Sequence, residues 1–170
     1  MKSIYFFTLL IFMNSASAET ISCRYLSKGE PELISAENCL SPMSVGSWDA
    51  LISKHIALDA VYDSRKLAYL YSEAGVFYFQ ENGKIMRTLM YDNGPDYFEE
   101  GLVRSLKDGK VGFMDKNLDL IIERKFDFAF PFKNGKAEVC VGCTRNTDGE
   151  YSYYEDGVWY YIDTKGKKID

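Results

Sequence analysis

The chain has one histidine, His55. A Ser-His-acid triad would have to use it, and it stands in "SKHIALD" with no Gly-x-Ser-x-Gly elbow anywhere in the sequence. A Cys-His nucleophile needs a free thiol, and the four cysteines, Cys23, Cys39, Cys140 and Cys143, can pair off. Gly-rich phosphate loops, His-x-x-x-His pairs and EF-hand patterns are absent. "NTDGE" at 146–150 lacks the alternating acids of a calcium loop. Nothing in the sequence calls for a cofactor or a metal. Basic residues are not clustered either. The longest such run, "KGKK" at 165–168, reads as a solvated turn, and the chain carries a net charge of −5. Nucleic acid and anionic membranes both need grouped Lys and Arg, so nucleic acid is not the expected partner. No apolar run reaches the roughly 20 residues that a membrane span requires.

The opening "MKSIYFFTLLIFMNSASAET" has Lys2, an apolar run from Ile4 to Met13 and the small residues Ala16 to Ala18. That is the order of a secretory signal peptide cleaved before Glu19. Residues 1–18 are therefore expected to be a leader, leaving a chain that does not span a membrane and is periplasmic or secreted. The remaining 152 residues (170 minus 18) are enough for one domain with a real core. With Lys2 removed the net charge becomes −6. In an oxidising compartment an even cysteine count favours disulfides. The local pairings Cys23–Cys39 and Cys140–Cys143 are preferred. The rival for "CVGC" is a redox or metal site. A redox pair usually opens a helix, whose N-terminus lowers the thiol pKa, whereas "AEVCVGC" reads as a strand running into a turn. Zinc needs two further ligands, and Cys23 and Cys39 lie 16 apart.

A sustained apolar stripe of helical period is also missing beyond residue 65. Short β-type runs instead alternate with polar turns, which predicts an all-β meander. The meander repeats. "LAYLYSEAGVFYFQENGKI" (67–85) lies over "LVRSLKDGKVGFMDKNLDL" (102–120) at an offset of 35, with Val76 on Val111 and Tyr78 on Phe113. "GLVRSL" (101–106) lies over "GKAEVC" (135–140) at an offset of 34, but Gly109 and Gly157 are 48 apart. About 14 residues are thus inserted into a third unit and should form a loop. Three such units can bury faces that one alone cannot. Residues 19–60 differ in composition and are expected to be a cap covering one end, with a short helix in "SWDALISKHIALD" after Ser47; 61–170 is the repeat domain.

"EEGLVRSLKDGKVGFMDKNLDLIIERKFDFAFPFKNGKAEV" (99–139) resembles the bacterial WG-repeat family. Lys110 to Asp115 occupy its Lys-Trp-Gly-Tyr-Ile-Asp phrase, and Phe126, Asp127, Ala129 and Phe132 its Tyr-Asp-x-Ala-x-x-Phe ending. In "GVWYYID" (157–163) Trp159 takes the Trp place and Tyr160 replaces the Gly. No unit keeps both Trp and Gly. The resemblance implies an array of about three degenerate WG-type β-hairpin or meander repeats and no particular reaction. Several family members are thought to be binding modules.

The insert, "DGEYSYYEDGVWYYID" (148–163), holds the candidate ligand- or partner-binding residues Tyr151, Tyr153, Tyr154, Trp159 and Tyr161. Such side chains suit recognition surfaces, and equally suit core or cross-strand pairs. In a strand over 158–163, Tyr160 and Ile162 face one way, Trp159 and Tyr161 the other, and one set is expected at the surface. The expected role is non-catalytic binding of a protein or cell-envelope ligand, in one version as an immunity or inhibitor protein. The alternatives are a cell-envelope glycan hydrolase, for which Glu99/Glu100, Asp148/Glu150 and Glu155/Asp156 supply paired acids, and a structural protein with no specific ligand.

Overall fold

The computed structural model describes residues 20–42, 50–149 and 151–169. The expected leader and residues 47–49 lie outside them; of the stretch expected to hold the cap helix, 50–52 is a strand and the helix begins at Lys54. The fold is all-β, as the alternation and the turn spacing predict. The N-terminal segment supplies β1 (Ile21–Leu26), β2 (Leu33–Pro42), β3 (Ala50–Ile52) and the short helix α1 (Lys54–Asp59). The first repeat unit is β4 (Ala68–Ser72), β5 (Gly75–Phe79) and β6 (Ile85–Thr88), followed by a small hairpin, β7 (Met90–Tyr91) and β8 (Gly94–Pro95). The second is β9 (Leu102–Lys107), β10 (Lys110–Asp115) and β11 (Leu120–Phe126), followed by β12 (Phe128–Ala129). The third is β13 (Lys136–Val141), β16 (Val158–Asp163) and β17 (Lys168–Ile169), with β14 (Thr144–Asp148) and β15 (Tyr151–Glu155) inserted.

Each unit is a three-stranded antiparallel meander, and the first two join edge to edge. Thr88 of β6 pairs with Ser105 of β9. At the other end β1 pairs with β4, so the N-terminal strands continue the sheet rather than only covering it. The outcome is a nine-stranded sheet in the order β11-β10-β9-β6-β5-β4-β1-β2-β3. The third unit turns away into a four-stranded sheet, β12-β13-β16-β17.

Three apolar clusters hold the units together. Phe77 and Phe79 pack with Tyr25, Leu40, Ile56 and the Cys23–Cys39 pair, tying the first unit to the N-terminal segment. The two sulfurs of that pair are at bonding distance, with Cα atoms 5.8 Å apart. On the opposite sheet face Tyr78 packs with Val103, Met114 and Leu118, tying the first unit to the second. Val111, Phe113, Ile122 and Phe126 of the second unit meet Ala137, Val139 and Ile162 of the third. Full burial of each such large side chain stabilises by roughly 1.5–3 kcal/mol, and most of these contacts cross between units. The glycine of the Lys-Trp-Gly phrase has a packing reason as well. A Cβ on Gly112 would fall against the Ile122 carbonyl oxygen and 2.7 Å from the Arg124 amide nitrogen, so β11 can cross β10 closely only there.

One polar contact joins the same pieces. Arg104 of β9 donates from Nη2 and Nε to Asp96, at 2.6 and 2.8 Å, and from Nη1 to the Ala129 carbonyl oxygen at 3.0 Å. Asp96 follows the first unit and Ala129 lies in the second sheet. The pair therefore links the end of unit one, the first strand of unit two and the smaller sheet, with side chains only 2% and 6% exposed.

Candidate functional site

In the second unit Lys107 pairs with Lys110 around a two-residue turn. At the equivalent place in the third unit Val141 pairs with Val158, and residues 142–157 lie between them. That is 16 residues instead of two, the 14-residue excess read from the offsets. The excess is not an irregular loop. Thr144 to Asp148 pair with Glu155 to Tyr151 as a hairpin of its own. Its base is closed by Cys140 and Cys143, whose sulfurs are at bonding distance, and by Gly157, whose φ of +69° leaves no room for a side chain against the Cys143 amide nitrogen. Asp127 moors this base to the second unit. One carboxylate oxygen accepts from Lys110 Nζ and the other from the Gly142 amide at 2.6 Å. The Lys110 bond, joined by the Gly142 bond, pulls the Asp127 pKa below the usual carboxylate range. Lys110 and Asp127 are the lysine and aspartate of the two repeat phrases, so the spacing of those phrases encodes a contact.

The four-stranded sheet has one face turned to the core and one turned out. Ala137, Val139 and Ile162 are buried against the second unit, with Tyr160 packed beside them. The outward face carries aromatic rings. Phe128 lies opposite Cys140, and Cys140 opposite Trp159, so two rings flank the disulfide in adjacent strands. The Phe128 ring centroid is 4.9 Å from Phe130, 4.4 Å from Tyr154 and 6.1 Å from Trp159. Phe130 is 6.4 Å from Trp159 and remains 46% exposed. The Trp159 indole N–H donates to the Asp156 carbonyl oxygen at 2.9 Å, which fixes the ring. Tyr161, 36% exposed, lies opposite Glu138, with Lys136 Nζ 4.4 Å from its ring centroid. Beside this row opens a cavity of about 630 Å³, lined by Glu99, Phe130, Phe132, Lys136, Glu138 and Tyr161 among others. The arrangement offers flat apolar contact with a rim of both charges.

The five candidate aromatics divide. Tyr154 and Trp159 join the cluster, and Tyr161 shares its sheet face. Tyr153 is exposed and lies opposite Asn146, on the other side of the hairpin from Tyr154. Tyr151 lies in β15, opposite Asp148. Phe128 and Phe130 were missed. They sit in "FDFAFPF", where aromatics at every second position suggest one face. The chain passes between sheets at Asp127 and leaves β12 after Ala129; Phe126 before the change and Phe132 beyond the strand are buried in the core, while Phe128 and Phe130 face out. A surplus of aromatics beyond what one core can hold was the available signal. Of the paired acids, Glu150 lies outside the described residues. Glu100 accepts from the Gly135 amide at 2.9 Å, Glu99 opens on the cavity, and Glu155 accepts from Asn146.

Residues 112–142 match the family model described as the WG containing repeat. They run from Gly112 through β11 and β12 to the start of the insertion, and stop where the 14 extra residues begin. The chain is thus a repeat-containing β protein with a WG-type stretch at its centre. No curated protein and no solved structure matches it.

Proposed function

We propose that this chain is a non-catalytic binding module that recognises a protein or cell-envelope ligand through the outward face of its four-stranded sheet. One observation carries the reading: Phe128, Phe130, Tyr154 and Trp159 are in ring contact on a face that the core does not use. Rigid aromatic rings give large contact area with little side-chain entropy to lose, and such residues dominate binding energy at interfaces. In this reading residues 1–18 are a signal peptide and the protein acts in the periplasm or outside the cell. Residues 19–60 close one end of the repeat domain, 61–170. An immunity or inhibitor protein acting on a toxin or hydrolase of that compartment is the concrete form that fits an acidic chain.

Capture from an envelope extract tests it. A co-purifying partner should be retained by the parent chain and lost with Phe130→Ala/Trp159→Ala, while Tyr153→Ala, on the other side of the hairpin, retains it. Melting curves must show that the variants are folded. Turnover of an envelope glycan that is abolished by Glu99→Gln or Glu138→Gln would replace this reading with the hydrolase.

A further inference from the structure

A second cavity, of about 570 Å³, opens on the first unit, between the loop after α1, the strands β4 and β5, and the β7–β8 hairpin. Five tyrosines line it: Tyr62, Tyr69, Tyr71, Tyr78 and Tyr97. Strand alternation sets three of them. Tyr69 and Tyr71 stand two apart on one face of β4, and Tyr78 lies opposite Tyr69 on β5. The Tyr69 and Tyr71 rings have centroids 5.7 Å apart and planes at 84°, so they form a corner. Hydrogen bonds hold the walls. Tyr71 donates to the Asn93 carbonyl oxygen at 3.1 Å, and Tyr78 to that of Asp96 at 2.9 Å. The first of these bonds brings the turn at Asp92 and Asn93 against the corner. Burial, then the phenol of Tyr69, push the Tyr71 pKa up, and Tyr97 acts in the same sense, so these three phenols share one space and stay uncharged near neutral pH.

The charged side chains on this wall are Asp63, Arg65 and Asp92. Asp63 and Arg65 close on each other, through Arg65 Nε at 2.7 Å and Nη2 at 2.6 Å, and the Arg65 guanidinium lies 4.6 Å from the Phe98 ring centroid. Asp92 makes no ion pair among the described residues. The wall therefore keeps one uncompensated negative charge, in a chain of net charge −5. It stands beside ring faces that carry the negative side of the aromatic quadrupole. Both features repel an anion and attract a cation with an apolar surface. We infer that this cavity binds a small organic ammonium ion: the tyrosine rings take its alkylated nitrogen, and Asp92 balances its charge. A neutral molecule of the same shape shares the apolar contact and not the attraction.

Calorimetric titration of the full chain with choline, and with neohexyl alcohol, the uncharged isostere in which carbon replaces the nitrogen, tests the assignment at fixed ionic strength. Choline should bind saturably at one site, about tenfold or more tighter than neohexyl alcohol. Tyr97→Ala, a change to an exposed side chain, should keep the melting temperature and weaken choline about fivefold, the effect of one cation–π contact, whereas Tyr97→Phe keeps the ring and should bind as the parent does. Asp92→Asn should weaken choline about threefold and leave neohexyl alcohol unchanged. Asparagine accepts the backbone φ of +46° at that position, so the turn survives the change. Absence of choline binding, equal binding of the two probes, or indifference to Tyr97→Ala overturns the inference. Indifference to Asp92→Asn overturns the role given to that carboxylate. Phe130→Ala/Trp159→Ala should leave choline binding unchanged, so this inference and the aromatic-face reading fail separately; loss of choline binding in that variant would put the ammonium on the other face and overturn the assignment.

Discussion

Replacing Asp96 by Asn leaves shape almost untouched and removes one charge from a buried pair. In the parent, Arg104 makes two charge-assisted bonds to Asp96, at 2.6 and 2.8 Å, and its own amide nitrogen lies 3.2 Å from the same carboxylate. The side chains are 6% and 2% exposed, so water cannot take over these bonds. In Asp96→Asn the guanidinium keeps its charge and its bond to Ala129, but faces an amide that can accept with one atom only. Breaking a buried pair from one side typically costs about 3–5 kcal/mol. Exposed pairs such as Lys84–Asp119, at 2.6 Å, contribute roughly 0–1 kcal/mol, and Asp119→Asn is the control. Total stabilities of small domains are about 5–15 kcal/mol, so a loss of this size moves the urea midpoint far. Equilibrium urea unfolding followed by circular dichroism reads it. Because Asp96, Arg104 and Ala129 come from three parts of the array, the loss should appear in one cooperative transition. A cost under about 1 kcal/mol, no larger than that of Asp119→Asn, would refute the claim that this pair joins the units.

Gly112→Ala places a methyl against the Ile122 carbonyl and the Arg124 amide, both backbone, so the strand must move; a loss of at least about 2 kcal/mol is expected from the same unfolding measurement. The two disulfides should differ in their worth. Cys23–Cys39 closes a loop of sequence separation 16 and Cys140–Cys143 one of separation 3. On loop entropy, replacing the first pair with serines should cost about 3 kcal/mol and the second about 2. Intact mass should fall by about 4 Da on oxidation of the reduced chain, one hydrogen per thiol. Tyr78 is pushed up to about 12, chiefly by burial, as are Tyr25 and Tyr62. A raised folded pKa means stability that is whole below the unfolded value of about 10 and lost as pH rises through the folded one. Stability measured across that window should fall, and Tyr78→Phe should flatten the fall; an unchanged slope would contradict the burial.

The repeat was legible because unit length and turn phrases survive divergence. The offsets of 35, 34 and 48 place the strand pairs Ser72–Gly75, Lys107–Lys110 and Val141–Val158 in equivalent positions. Local cysteine spacing likewise anticipated both pairs at bonding distance. Long-range decisions were not legible. Nothing in "ISCRYL" or "LISAENCLSP" says that β1 pairs with β4, because edge pairing is settled by which partner strand is free. The change of sheet at Asp127 separates Phe126 from Phe128 and Phe130, and no local spacing in "FDFAFPF" marks where one sheet ends and the next begins. Along β16 no such break occurs: Ile162 and Trp159 lie on opposite faces as alternation requires, and the packing of the smaller sheet decides that the Ile162 face is the inner one. The Asp96–Arg104 pair joins residues eight apart, but the Ala129 carbonyl that completes it is set only by the packing of one sheet on the other.

The direct test of the binding account is hydroxyl-radical footprinting, read by mass spectrometry, of the chain alone and with its captured partner. Protection should concentrate on Phe130, Trp159 and Tyr161, while Leu51 in the N-terminal segment and Tyr97 after the first unit, both exposed, stay as reactive as before. Protection centred on those residues instead, or none on the aromatic face, would contradict it.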